Sequence, residues 1–202
     1  DDTFITTSDG AAPKDQIIPG EKLQMGSSVK VYVSKLEIGP KGPFIMLSRS
    51  HYGFLKRLLE IEIPELTDGT VVLYSVAREA GSRSKIAVYT EYNNVDPLGA
   101  IIGEKGRRIA NVLKELNGEK IDVILYDKDP VKFITNALSP AKNVKVTIKN
   151  EEKKEALALV DDSNLSLAIG RKGQNVKLAS RLTHYKIEVK SESTTEEEKD
   201  SE

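Results

Sequence analysis

Apolar and polar residues alternate through 29–38 (VKVYVSKLEI), the turn GPKG follows, and 43–50 (PFIMLSRS) reads as the returning strand. Two strands cannot bury a core alone. They must pack on the next segment of the chain, or belong to a sheet whose earlier strands precede this chain. At His51 the period changes from two to 3.6, with Phe54, Leu55, Leu58 and Leu59 on one helical face and Pro64 as the stop. Strands are expected at 69–79 and 85–92 around the turn AGSRS, and a short helix at 96–102 with Asp96 as its cap and Pro97 in its first turn. A second helix follows from Arg107, apolar at Ile109, Val112, Leu113 and Leu116 and closed by Asn117-Gly118, then a strand at 120–126.

The next stretch repeats that order. A helix is expected at 129–140, capped by Asp129 and Pro130, with strands at 143–150 and 155–160 around EEKK. A short helix at 161–169, a second helix from Gln174 and a strand at 186–190 complete it. The unit helix–strand–strand–helix–helix–strand therefore occurs twice, about 70 residues apart, which is an internal duplication. In each copy the two adjacent helices are joined by a Gly-x-x-Gly loop, Gly103-Glu104-Lys105-Gly106 and Gly170-Arg171-Lys172-Gly173.

Glycines at both ends allow a sharp turn and a close approach of ligand to main chain. The first N–H groups of the following helix lack intrahelical partners and carry the positive end of its dipole. Lys105, Arg107 and Arg108 in one copy, and Arg171 and Lys172 in the other, surround that end with cations, a setting suited to phosphate. The spacing fits neither Gly-x-x-x-x-Gly-Lys-Ser/Thr nor a dinucleotide fingerprint, which would sit between a strand and a helix. Two helices around such a loop, beside a strand, form the KH arrangement, which clamps the backbone of about four nucleotides. Ile101, Ile102 and Ile109, with Ala168, Ile169 and Val176, are candidates for an apolar floor under the bases; ordinary helix core is the competing reading, above all for Ile109 and Val176. Gln174 and Asn175 open the second helix either as RNA contacts or as capping residues. A plain helix–helix turn would explain one loop; it explains two with lysine at the same position less readily.

Charge sharpens the picture. The chain of 202 residues has a net charge of −1, yet residues 23–190 hold 27 lysines and arginines against 20 acids. Acids gather before residue 23 and in SESTTEEEKDSE at 191–202. A +7 middle fits a polyanionic partner, although a solvated mixed surface would give the same count. The tip AGSRSK, with Arg83 and Lys85, is expected to be a basic hairpin turn facing RNA, protein or solvent. There is no cysteine and there are only two histidines, His51 and His184, so disulfides, thiolate chemistry and a histidine metal site are excluded or disfavoured. Neither a long apolar run nor a leader pattern is found, so no membrane association is expected. The opening DDTFITT, without Met, fits a processed product or an excised fragment.

The runs LSRSH, AREAGSRSKIAV, NVDPLGAIIGEKGRRI, NGEKIDV, NALSPAK and LSLAIGRKGQNVKLASRLT resemble those of the NusA family of bacterial transcription factors, from about Ile17 to Lys190. The resemblance implies an α+β chain: part of an S-one-type OB barrel (1–50), a first type II KH domain (51–128) and a second (129–190); the acidic composition of 191–202 predicts a disordered tail that acts as linker, terminus or competitor for the basic face. It implies cytoplasmic, monomeric, non-enzymatic RNA binding to the nascent single-stranded transcript. The outcome would be control of polymerase pausing, termination and antitermination. Contact with RNA polymerase would require an N-terminal domain for which this chain has no room. The expected contacts are Ile101, Ile102, Gly103, Glu104, Lys105, Gly106, Arg107 and Arg108, with Ala168, Ile169, Gly170, Arg171, Lys172, Gly173, Gln174 and Asn175. Glu104 departs from a phosphate clamp and should weaken the first loop. No cofactor is expected. The short DKDP link (127–130) suggests one platform for roughly eight nucleotides. Ribosome-associated KH proteins and rRNA assembly factors are the alternative class; enzymes with KH domains carry catalytic domains that this sequence does not match.

Overall fold

The structure, a computed structural model, describes residues 5, 6 and 10–193. The acidic run at 194–202 and Asp1, Asp2 and Asp9 lie outside the described residues. The chain divides into two compact units. One comprises residues up to Thr70 with Arg78–Ser84 and Gly99–Ile121, the other Val71–Ala77, Lys85–Leu98 and the chain from Asp122.

In the first unit, β1 (Ile5–Thr6), β2 (Gly10–Ala12), β3 (Tyr32–Gly39) and β4 (Gly42–Ser48) form a sheet in the order β1-β2-β4-β3. The expected hairpin is its antiparallel β3–β4 pair, and β2 runs parallel to β4. Ala12, Ile17 and Leu47 are its buried apolar contacts. Helix α1 (Tyr52–Glu62) buries Phe54, Leu55, Leu58 and Leu59, the face read from the sequence. Ile63 is extended ahead of Pro64, as the proline ring requires, and Pro64 opens a further turn, α2 (Pro64–Thr67).

Two buried guanidinium groups tie this unit together. Arg49 Nε and Nη2 donate to Glu21 at 2.9 and 3.0 Å, and Nη1 donates to the Lys30 carbonyl at 2.5 Å. Arg78 pairs with Glu119 at 2.9 Å and also donates to the carbonyls of Arg49 and His51. Every nitrogen of the two guanidinium groups and every oxygen of the two carboxylates has a hydrogen-bond partner, which is the condition for burying such a pair.

The sheet β5 (Val72–Glu79), β6 (Arg83–Tyr89), β7 (Lys120–Leu125) has the order β5-β6-β7. One sequence expectation fails here. Residues 80–82 suffice for the turn, with Gly81 at φ 76°, so Arg83 and Lys85 lie within β6. Lys85 is fully buried, and its ammonium donates to Asp122 at 3.0 Å and to the Ser139 carbonyl at 2.7 Å. It cannot be a solvent-facing contact.

Helices α3 (Pro97–Ile102) and α4 (Arg107–Lys114) flank the first glycine loop, and α4 gives way to a turn closed by Asn117 and Gly118, both at positive φ. In the second unit come α5 (Pro130–Ala137), β8 (Lys145–Asn150), β9 (Glu155–Val160), α6 (Asp162–Ile169), α7 (Gln174–Thr183) and β10 (Lys186–Ser191). Strand β9 is central, antiparallel to β8 and parallel to β10. This sheet repeats the order of β5-β6-β7. Leu138, Leu178 and Leu182 belong to the buried core of this unit. Ser191, assigned to a disordered tail from the sequence, ends β10, and its hydroxyl bonds the Asp162 carboxylate.

Candidate nucleic-acid interface

Each glycine loop begins where a short helix ends. Asp96 accepts from the Leu98 N–H at 3.1 Å at the start of α3, and Asp161 accepts from Asn164 N–H at 2.8 Å at the start of α6. The Ser163 hydroxyl and the Asn164 amide hold the Asp161 carboxyl down at about 2. The loops then take the same backbone path. Gly103 lies at φ 75°, ψ 172°, Lys105 at 51°, 28° and Gly106 at 74°, 15°. Gly170, Lys172 and Gly173 lie at 77°, 167°, at 53°, 29° and at 72°, 13°. Matched angles agree within 5°. Three positive-φ residues in four is a conformation that a plain helix–helix turn has no reason to repeat.

The two glycines of a loop serve different ends. A Cβ on Gly170 would stand 2.7 Å from the main-chain nitrogen of Asn175, and one on Gly103 would stand 2.6 Å from Arg108 Cγ. A Cβ on Gly106 or Gly173 would meet nothing within 4 Å. The first glycine permits the loop to close on its own helix, and the second leaves open space beside the main chain. Glu104, Lys105, Arg107, Arg171 and Lys172 are exposed, and the four cations form no ion pair among the described residues.

Four of the expected contact residues are turned to other work. Ile101 and Ala168 are fully buried and belong to helix core, so they offer a ligand no surface. Arg108 donates to Glu65 and to the Ala100 carbonyl, both at 2.8 Å. Asn175, 4% exposed, donates to the carbonyls of Ala168 and Leu138 at 3.0 and 3.1 Å. Arg108 and Asn175 occupy the same place in the repeat, five residues after the first glycine. Both pin the helix after the loop to the helix before it.

Ile102 remains 40% exposed, and Ile169, Gln174, Ile109 and Val176 are half-buried, Val176 packing on the core. The sequence reading missed Leu167, 48% exposed just before the second loop. Its only signal was its alignment with Ala100, a small residue. It also missed a cleft of about 420 Å³ lined by Leu98 of α3, Val123 and Leu125 of β7, and Lys142 and Asn143. These lie too far apart in sequence to form a local pattern.

Among the described residues no group of three or more acids or histidines is placed to hold a metal ion, and no helix is long and apolar enough to cross a membrane.

A NusA-like first KH domain matches residues 49–126, and a NusA-like second KH domain matches residues 130–197. The transcription termination/antitermination protein NusA of Halalkalibacterium halodurans is 52% identical over 185 residues, 92% of this chain and 48% of that protein. Its counterpart from Bacillus subtilis is 49% identical over 201 residues, 98% and 54% respectively, and that from Thermus thermophilus 47% over 186 residues, 91% and 48%. The chain thus spans about half the length of the curated relatives it matches. With two tandem KH domains behind a sheet-rich N-terminal part, and identity of this order along nearly its whole length, the chain belongs to the NusA family.

Proposed function

We propose that the chain is the RNA-binding part of a transcription termination/antitermination factor, holding nascent single-stranded RNA while polymerase pauses, terminates or reads through. One observation carries the reading: two loops with one backbone path, each with an open second glycine and exposed cations that form no ion pair among the described residues. In each, phosphate oxygens would meet main-chain N–H groups and the lysine ammonium, while bases lie over the exposed apolar residues beside the loop. The names of the relatives support the transcriptional setting. On this reading the N-terminal sheet belongs to an S-one-type OB barrel, the protein works in the cytoplasm as a monomer without catalysis, and polymerase binding needs parts of the full-length protein beyond this chain.

Fluorescence anisotropy with single-stranded RNA of increasing length tests it. Lys105 and Lys172 sit at left-handed φ, which aspartate tolerates, so Lys105→Asp and Lys172→Asp reverse charge without backbone strain. Affinity should rise with length to about eight nucleotides, and the double variant should lose on the order of tenfold or more. Lys172→Asp should cost more than Lys105→Asp, because Glu104 already opposes phosphate in the first loop. Absence of RNA binding, or indifference to all three variants, would leave the loops as structural turns.

A further inference from the structure

The second unit holds an aromatic cleft that shares no residue with either glycine loop. Tyr74 of β5 stacks on Tyr126 at 3.8 Å between centroids and 19° between planes, and Phe133 of α5 meets both rings edge-on. Tyr185, between α7 and β10, completes the lining, and the Lys154 ammonium stands 5.2 Å from the centre of its ring. The space is about 500 Å³, within the range of sites that hold small organic ligands. Tyr74 remains 46% exposed although one face is stacked.

The rim distinguishes the occupant. Lys128 and Lys154 supply cations, and the Glu151 carboxylate enters no ion pair among the described residues. An apolar peptide side chain would leave these rim groups unanswered. A nucleobase answers them: its faces stack on tyrosine, its amino group donates to a carboxylate, and its phosphate meets lysine. From this juxtaposition of stacked rings, free carboxylate and two lysines, we infer that the cleft is a stacking site for one unstacked base of bound single-stranded RNA. A carboxylate at the rim accepts from an exocyclic amino group, so bases that carry one are preferred over those that do not. The inference deepens the RNA-binding reading above and rests on it for the source of the base.

The probe is 2-aminopurine riboside 5′-monophosphate, which stacks, carries an exocyclic amino group and is excited beyond the tyrosine band. Titrated with the whole chain, its emission should be quenched saturably. Tyr74→Leu, which keeps apolar bulk and removes the ring, should weaken that binding about tenfold. Lys154→Gly, which suits the φ of 54° there, should weaken it independently, so loss of fold in one variant does not leave the result open. Guanosine monophosphate should displace the probe better than inosine monophosphate, which lacks the 2-amino group. Absence of quenching in the parent chain, or quenching unchanged in both variants, overturns the cleft assignment. The Lys105→Asp/Lys172→Asp chain separates the two readings. If oligonucleotides respond to the loops while the probe ignores Tyr74, the cleft proposal fails alone. If oligonucleotides do not bind at all yet the probe is quenched through Tyr74, the loop reading fails and the cleft binds free nucleotide.

Discussion

Gly170 and Gly173 have φ values within 5° of each other, and substitution should still separate them. Alanine at 173 meets only the left-handed penalty, about 1–2 kcal/mol, because no atom lies within 4 Å of its Cβ. Alanine at 170 adds a Cβ 2.7 Å from main-chain nitrogen, which cannot move without shifting α7. Thermal unfolding should therefore place Gly170→Ala well below Gly173→Ala, whereas RNA affinity should suffer in both. Equal melting temperatures would contradict the division of labour between the glycines. At this scale the sequence revealed the loop itself, since two glycines and a lysine recur at fixed spacing. It could not reveal that Arg108 is tied to Glu65, 43 residues earlier, or that Asn175 reaches back to Leu138. A cation and an amide next to a glycine loop look like ligand contacts until their distant partners are seen.

Among the elements, α1 has an acid-sensitive start. His51 is its cap, and Nδ1 accepts from the Gly53 N–H at 2.9 Å, which demands the unprotonated nitrogen. Burial first, and the Arg78 guanidinium second, lower the pKa of His51 below 6.5. The unfolded chain therefore binds more protons than the folded one just below that value, and stability falls as pH drops through it. The contribution is complete above about pH 6.5. Melting temperatures from pH 7 to pH 5 should fall for the parent chain and fall less for His51→Asn, which keeps a capping oxygen and removes the titration. Parallel curves would show that the cap does not titrate. Caps of this kind were readable elsewhere: Asp96 and Asp129 each precede a proline, and each accepts from the turn it opens. Strand β6 was harder. Its buried Lys85 looked like hairpin tip because its partners, Asp122 and Ser139, come 37 and 54 residues later.

Over the whole molecule, the excess positive charge of residues 23–190 sets how RNA affinity should respond to salt. Each lysine or arginine that neutralises a phosphate of single-stranded RNA adds about 0.7 to the slope of log affinity against log salt. Arg108 is already paired, so Arg108→Gln should leave that slope unchanged while lowering stability. Lys172→Gln should reduce it by about 0.7. A slope that responds equally to both would mean that the Glu65 pair opens when RNA binds. The repeat made this scale legible in the sequence alone, because duplication turns one ambiguous pattern into two that agree. The aromatic cleft stayed hidden, since Tyr74, Tyr126, Phe133 and Tyr185 follow no period along the chain.

Matched loops also govern how such a protein can diverge. The backbone path is dictated by the residues at the first, third and fourth positions, all at positive φ. The second position, Glu104 in one copy and Arg171 in the other, carries no such demand, and its side chain stands in solvent. Substitution there changes the local charge by up to two units and leaves the architecture untouched. Affinity for RNA can therefore drift up or down by single steps that selection on folding does not see, so two copies of one unit can become a strong grip and a weak one.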